Sequence, residues 1–325
     1  MNIEKNYSID LIRIVAALGV IIIHVQGTVP EVIYLDKNAG MLCVPFFFAV
    51  SVSLFLSNLS ANTSFKDIAN KSWQRIIIPY LSWTAIYILL LVGKSLITHT
   101  HSKIVLWQAV FYGGSAMHLY FLPMLLALQV IALGIVYLLK PIYHSRITGL
   151  ALTIAVILYL FIGSVFKTFG IISPIHIVCY VGFAFWAASR IKSTQLNIMH
   201  ISIGCLLLMI ASLASWYDEQ FIFLSYAKLM PLGGIGLAII CMGIRFIHMP
   251  KWLVILSSLS YGIYLCHVVF LEAFEFILEK IVSREICIDI PTKLLIVCSI
   301  FIFSALFTVC ARRISIARKL LLGEK

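Results

Sequence analysis

The sequence predicts an all-α fold, a polytopic membrane helical bundle of about ten transmembrane helices with both termini cytoplasmic. Three observations predict it. Of the 325 residues, 62% are hydrophobic and only 11% are charged, whereas a soluble domain carries about 25% charge. The mean hydropathy is +1.05. Apolar stretches near the roughly 20 residues that a helical span requires recur at 9–27, 40–57, 76–97, 116–139, 147–167, 174–190, 196–215, 224–246, 252–274 and 293–312. The connections between them are short, so residues 1–325 read as a single domain.

The first span carries Arg13 and His24. Ionisable groups at membrane depth are costly and usually face a bundle interior or a wet cavity. The two stand eleven positions apart, about 1100° of helix, or some 20° past three full turns, so they share one face. Along the axis they lie about 16 Å apart. Asp10, three residues before Arg13, can pair with it. A polar stripe of Asp10, Arg13 and His24 on an apolar helix marks a site rather than an anchor. Asp10 and Arg13 interrupt the apolar start and no small-x-small site follows Val25, so the helix is expected to be retained rather than cleaved.

The second span opens on Val44-Pro45-Phe46-Phe47-Phe48 and closes in a polar stretch, Ser57 to Ser64. An inner loop then presents Lys71, Trp73 and Arg75 ahead of Pro79 and Tyr80. If that loop is helical, Lys71 and Arg75 project together. The pair either snorkels to lipid headgroups or, beside an indole, clamps the phosphates of a nucleotide-like ligand. The fourth span begins outside with Met117-His118-Leu119-Tyr120-Phe121-Leu122-Pro123, and the ninth carries Ser260-Tyr261-Gly262-Ile263-Tyr264-Leu265-Cys266-His267, then Glu272. With the first and ninth spans running outward and the fourth inward, His24, His118 and His267 are expected at a similar, outer depth.

The net charge of +11 follows topology. Sixteen of the 24 basic residues fall on inner segments, among them Lys66, Arg190, Arg312, Arg313, Arg318 and Lys319, while Glu31, Asp36, Glu272 and Asp289 fall outside. The positive-inside rule explains this bias, and a nucleic-acid partner is not needed. The eight cysteines show no C-x-x-C or other metal spacing, so no metal is expected, and most read as small buried hydrophobes. Cys43 and Cys287 are the two near the outer face, where an oxidising compartment would permit a disulfide.

Together these motifs resemble a known family. Arg13-x10-His24 preceded by Asp10, Val44-Pro45-Phe46-Phe47-Phe48, Trp73-Gln74-Arg75-Ile76 through Pro79-Tyr80, His118-Leu119-Tyr120-Phe121-Leu122, and Ser260 to His267 are similar, in order, to those of the bacterial integral-membrane acyltransferases often called acyltransferase 3. The resemblance covers residues 8 to about 312. It departs where Ser51 is followed by Val52 rather than glycine, and where the basic loop is poorer in arginine. It implies a stand-alone enzyme of the bacterial inner membrane that moves an acyl group, commonly acetyl from acetyl-CoA, to a hydroxyl of an envelope glycan or lipid-linked sugar. In that reading Arg13, Lys71, Trp73 and Arg75 hold the CoA end and Asp10 orients Arg13. His24 is general base or acyl carrier, and His118, Tyr120, Tyr261, Tyr264 and His267 line the acceptor side. The rival class is a secondary transporter with Arg13, His24 and Glu272 as a proton relay. A sensor or scaffold would leave the stripe without a purpose.

Overall fold

The computed structural model describes residues 6–27, 29–59, 64–98, 107–109, 113–138, 174–192, 195–216, 226–281 and 288–324. Among these the protein is helical, without strands. The expected fifth span, 147–167, and Cys287 lie outside the described residues. The helices are α1 (Ser8–His24), α2 (Pro30–Ser57), α3 (Phe65–Ser72), a π-turn (Trp73–Ile77), α4 (Ile78–Thr98), α5 (Phe121–Leu138), α6 (Pro174–Ala187), α7 (Ile198–Trp216), α8 (Tyr226–Gly243), α9 (Lys251–Ile281), α10 (Ile290–Arg313) and α11 (Ser315–Leu322). Six stretches among the described residues are long and apolar enough to cross a membrane: α2, the continuous rod Phe65–Ile97, α5, α7, α9 and α10.

Two boundaries differ from expectation for local reasons. α2 begins at Pro30 rather than near residue 40. Proline is favoured in the first helical turn because its missing N–H would be unpaired there anyway, and Glu31 complements the positive helix end. The helix accommodates the charges of Glu31, Asp36 and Lys37 ahead of its apolar part. The fourth span was expected from residue 116, yet α5 starts at Phe121. Leu119 and Phe121 donate to the carbonyls three residues back, so His118 sits in a turn that leads into the helix.

The described residues form two compact units. The first comprises α1, α2, the end of α5, α6, α7, α8 and the first turns of α9 and α10. α2 is its hub, packed by α1, α6, α7 and α8. Pro45 stands inside α2 and offers no N–H to the Met41 carbonyl four residues earlier. Gly233 and Gly234 of α8 lie against that opening. A Cβ on Gly233 would run into the Met41 carbonyl, and one on Gly234 into Pro45 and the Phe46 nitrogen. Small residues let helix backbones approach this closely. Away from the hub, α7 shows a stripe of exposed Ile203, Leu206, Met209 and Leu213, spaced for one helix face and suited to lipid. Cys43 in α2 is buried and free.

The second unit comprises α3, the π-turn, α4, the start of α5, α9 from Leu259 onward, the later part of α10 and α11. α4 packs on α11. Trp83, 2% exposed, sits at the core of that packing and donates its indole N–H to the Leu321 carbonyl at 3.0 Å.

Candidate functional site

The first unit holds Asp10, Arg13 and His24. α1 is unbroken from Ser8 to His24, so Arg13 and His24 lie about three turns apart on one face. The start of α1 is tied to the end of α8 and the residues after it. Ser8 Oγ donates to the Cys241 carbonyl at 2.5 Å, Asn6 Nδ2 to the Ile244 carbonyl at 2.8 Å, and the Tyr7 N–H to the Phe246 carbonyl at 2.7 Å. Carbonyls at a helix end lack intrahelical donors, and these bonds supply them. Arg13 Nη1 meets Asp10 Oδ1 at 3.3 Å, and Ser257 Oγ donates to the same oxygen at 3.4 Å. The Asp10 side chain is 12% exposed and that of Arg13 30%. The carboxylate is thus the inner, fixed partner, and the guanidinium keeps part of its donor edge open to another group.

At the opposite end His24 is the last helical residue and half-buried. The next residue, Val25, closes the helix with its N–H to the Ile21 carbonyl at 3.2 Å. Its carbonyl accepts from the ammonium of Lys293, whose side chain is fully buried. Lys293 also pairs with Asp36 Oδ1 at 2.5 Å. By position in the sequence, Lys293, like Asp36, falls among the charges on the outer segments, where neither had an evident role. One signal could have raised them: Lys293 opens an apolar stretch whose next 18 residues, 294–311, carry no charge, and intramembrane-edge charges seek a partner.

In the second unit, the Ser64 hydroxyl accepts from the Asp67 N–H at 3.1 Å and donates to the Asp67 carboxylate at 2.8 Å. This reciprocal cap starts α3. Lys71 lies in the last turn of α3, and the π-turn begins at Trp73, where the Ile78 N–H reaches five residues back to the Trp73 carbonyl. Lys71 and Arg75 therefore straddle a change of winding rather than stacking on one α-helical face. Lys71, Trp73 and Arg75 are all exposed, Trp73 by 51%. The Tyr261 hydroxyl donates to the Arg75 carbonyl at 2.8 Å and so pins the π-turn to α9.

The same unit brings His118, Tyr264 and His267 together. His118 is 2% and His267 0% exposed, and their ring centroids are 4.8 Å apart. The Tyr264 hydroxyl donates to the His118 carbonyl, and Tyr87 donates to the Leu265 carbonyl at 2.9 Å. His267 Nδ1 lies 2.7 Å from the Tyr264 carbonyl and His118 Nε2 lies 3.4 Å from that of Leu265. A carbonyl only accepts, so these nitrogens carry the protons; in the neutral rings His118 Nδ1 and His267 Nε2 hold the lone pairs. Tyr120 is half-buried beside this cluster in sequence. Glu272, the acid of the alternative relay, is paired on this unit's surface with Lys94 at 2.6 Å.

The chemistry available is thus a half-open guanidinium and an imidazole on α1, exposed cations around an indole in the α3–π-turn segment, and a buried imidazole–phenol cluster. A family description, an acyltransferase domain of the acyltransferase 3 type, matches residues 6–313. No curated protein and no solved structure matches the chain. The match spans nearly the whole chain, α1 and its Arg13 and His24 included, and with several helices apolar enough to cross a bilayer it shows that the protein belongs to the acyltransferase 3 family of membrane acyltransferases.

Proposed function

We propose that the protein is an O-acyltransferase of the bacterial inner membrane. It moves an acyl group, acetyl in the simplest case, from cytoplasmic acyl-CoA to a hydroxyl of an envelope glycan or lipid-linked sugar. The observation that carries this reading is α1. One unbroken helix bears an Asp10-paired guanidinium and, three turns on, an imidazole at the helix end, next to the Val25 carbonyl that Lys293 holds, in a chain of an acyltransferase family.

The residues present suit an anionic thioester donor. Arg13, with Asp10 fixing one edge, has donors left for a phosphate or carbonyl oxygen. Lys71 and Arg75 add exposed positive charge, and the Trp73 indole offers a face to a purine. In the reaction His24 takes the proton of the acceptor hydroxyl as its oxygen bonds the thioester carbon. The carbon–sulfur bond breaks and the CoA thiolate leaves, to be protonated in turn. Tyr264 and Tyr261 serve as positioning residues, since their hydroxyls are engaged by the His118 and Arg75 carbonyls. His118, His267 and Tyr120 remain the groups we assign to the acceptor side.

The test compares envelope glycans by mass spectrometry from cells carrying the wild-type chain, the His24→Ala variant or no copy. The variant is expected to accumulate in the membrane at wild-type level and to leave the acceptor unacylated. Retained acylation in His24→Ala refutes the assignment, and no acyl difference between cells with and without the wild-type chain refutes the activity.

A further inference from the structure

The last described helix, α11, carries none of the groups assigned above and lies wholly beyond the matched residues 6–313. It is nevertheless docked firmly. The Leu321 carbonyl accepts from Trp83, Leu322 is 3% exposed, and Gly323 caps the helix with φ 63°. Gly323 lies directly on the Gln74–Arg75 backbone, where a Cβ would fall 2.6 Å from the Gln74 carbonyl oxygen. The docking leaves a cleft of about 340 Å³ lined by Gln74, Ser315, Arg318, Lys319, Gly323 and Glu324, within the ~300–1,000 Å³ typical of small-molecule sites.

The charge of this cleft is positive. Its acid, Glu324, is taken by Arg312, whose Nε lies 3.0 Å from each carboxylate oxygen and whose Nη2 lies 2.5 Å from Oε1. Arg318 and Lys319 remain. Arg318 Nε is buried and has no hydrogen-bond partner among the described residues, a position that costs free energy unless an acceptor arrives. Arginine donors in a fixed fork, a neighbouring ammonium, a hydroxyl and an amide together match a phosphate group.

We propose that this cleft is a phosphate-binding site, with Arg318 and Lys319 as the charged contacts and Gln74 and Ser315 as polar ones. It rests on the acyl-CoA reading for its first ligand, the terminal 3′-phosphate of the donor. The cleft adjoins the π-turn that carries Trp73 and Arg75, so the tail would extend the cationic surface of that segment. The same chemistry is also offered by the headgroup of an anionic lipid.

The experiment uses the full chain, purified into nanodiscs, as wild type and as the Arg318→Gln/Lys319→Gln double variant. Binding of CoA and of 3′-dephospho-CoA is measured in phosphatidylcholine discs, and thermal stability is compared in phosphatidylcholine and phosphatidylglycerol discs. With the donor phosphate in the cleft, wild type prefers CoA by at least about tenfold. The double variant loses that preference while keeping its affinity for 3′-dephospho-CoA, and Arg318→Lys retains part of it. A phosphatidylglycerol stabilisation that the double variant loses, without any CoA preference in wild type, identifies a lipid phosphate as the occupant. If neither measurement responds to the double substitution, the phosphate site is wrong. The acyl-CoA reading fails on a separate result, the absence of binding by either CoA form.

Discussion

The arrangement of single residues at both ends of α1 explains why an ionisable stripe is tolerable there. Asp10 does not stand alone in an apolar setting: Arg13 and the Ser257 hydroxyl both address its Oδ1, which offsets part of the cost of removing a carboxylate from water. Lys293 is the sharper case, fully buried with two acceptors, Asp36 and the Val25 carbonyl. Removing one member of a buried pair leaves an uncompensated charge and costs about 3–5 kcal/mol, whereas replacing both with apolar groups is often near neutral. Lys293→Met is therefore expected to unfold well below wild type in a detergent melt, and Lys293→Met with Asp36→Leu to recover most of the difference. Losses in Lys293→Met and Asp36→Leu that simply add in the double variant would show that the pair is not coupled. The shared face of Arg13 and His24 and the pairing of Asp10 with Arg13 were legible from spacing alone, because helix geometry maps sequence distance to a face. Lys293 and Asp36 were not, since they lie 257 residues apart and nothing local reports their meeting.

At the level of elements, the helices follow their sequences closely where a cap or a breaker is present. Ser64 and Asp67 start α3, Pro30 starts α2, and Gly323 ends α11. Gly323→Ala places a Cβ in the left-handed region and against the Gln74 carbonyl. It is expected to loosen α11 by about 1 kcal/mol or more, read as faster proteolysis of the tail with the remainder of the chain intact. Tail cleavage at the wild-type rate would mean that this seat does not hold the helix. The π-turn was not legible. Its residues, Trp73 to Ile77, carry no breaker, and the extra residue in the turn is accommodated by packing, with Tyr261 from α9 holding the Arg75 carbonyl.

For the whole molecule, composition and charge bias decide its medium and its expected orientation. With basic residues concentrated on the segments read as inner, a green fluorescent protein fused after Lys325 is expected to fluoresce and an alkaline phosphatase fused there to stay inactive. The opposite pair of signals would invert the topology and place the cations proposed to meet CoA on the wrong side. The family and its acyl-transfer chemistry were also readable from linear motifs, because residues within one helix or turn keep their spacing in any fold that preserves the helix. What only the tertiary structure decided is which distant residues meet. It brought Lys293 to the end of α1, Gly233 and Gly234 to the Pro45 opening, and α11 to the π-turn. Those contacts arise from close packing between segments far apart in the chain, and hydropathy, which is summed over local windows, has no access to them.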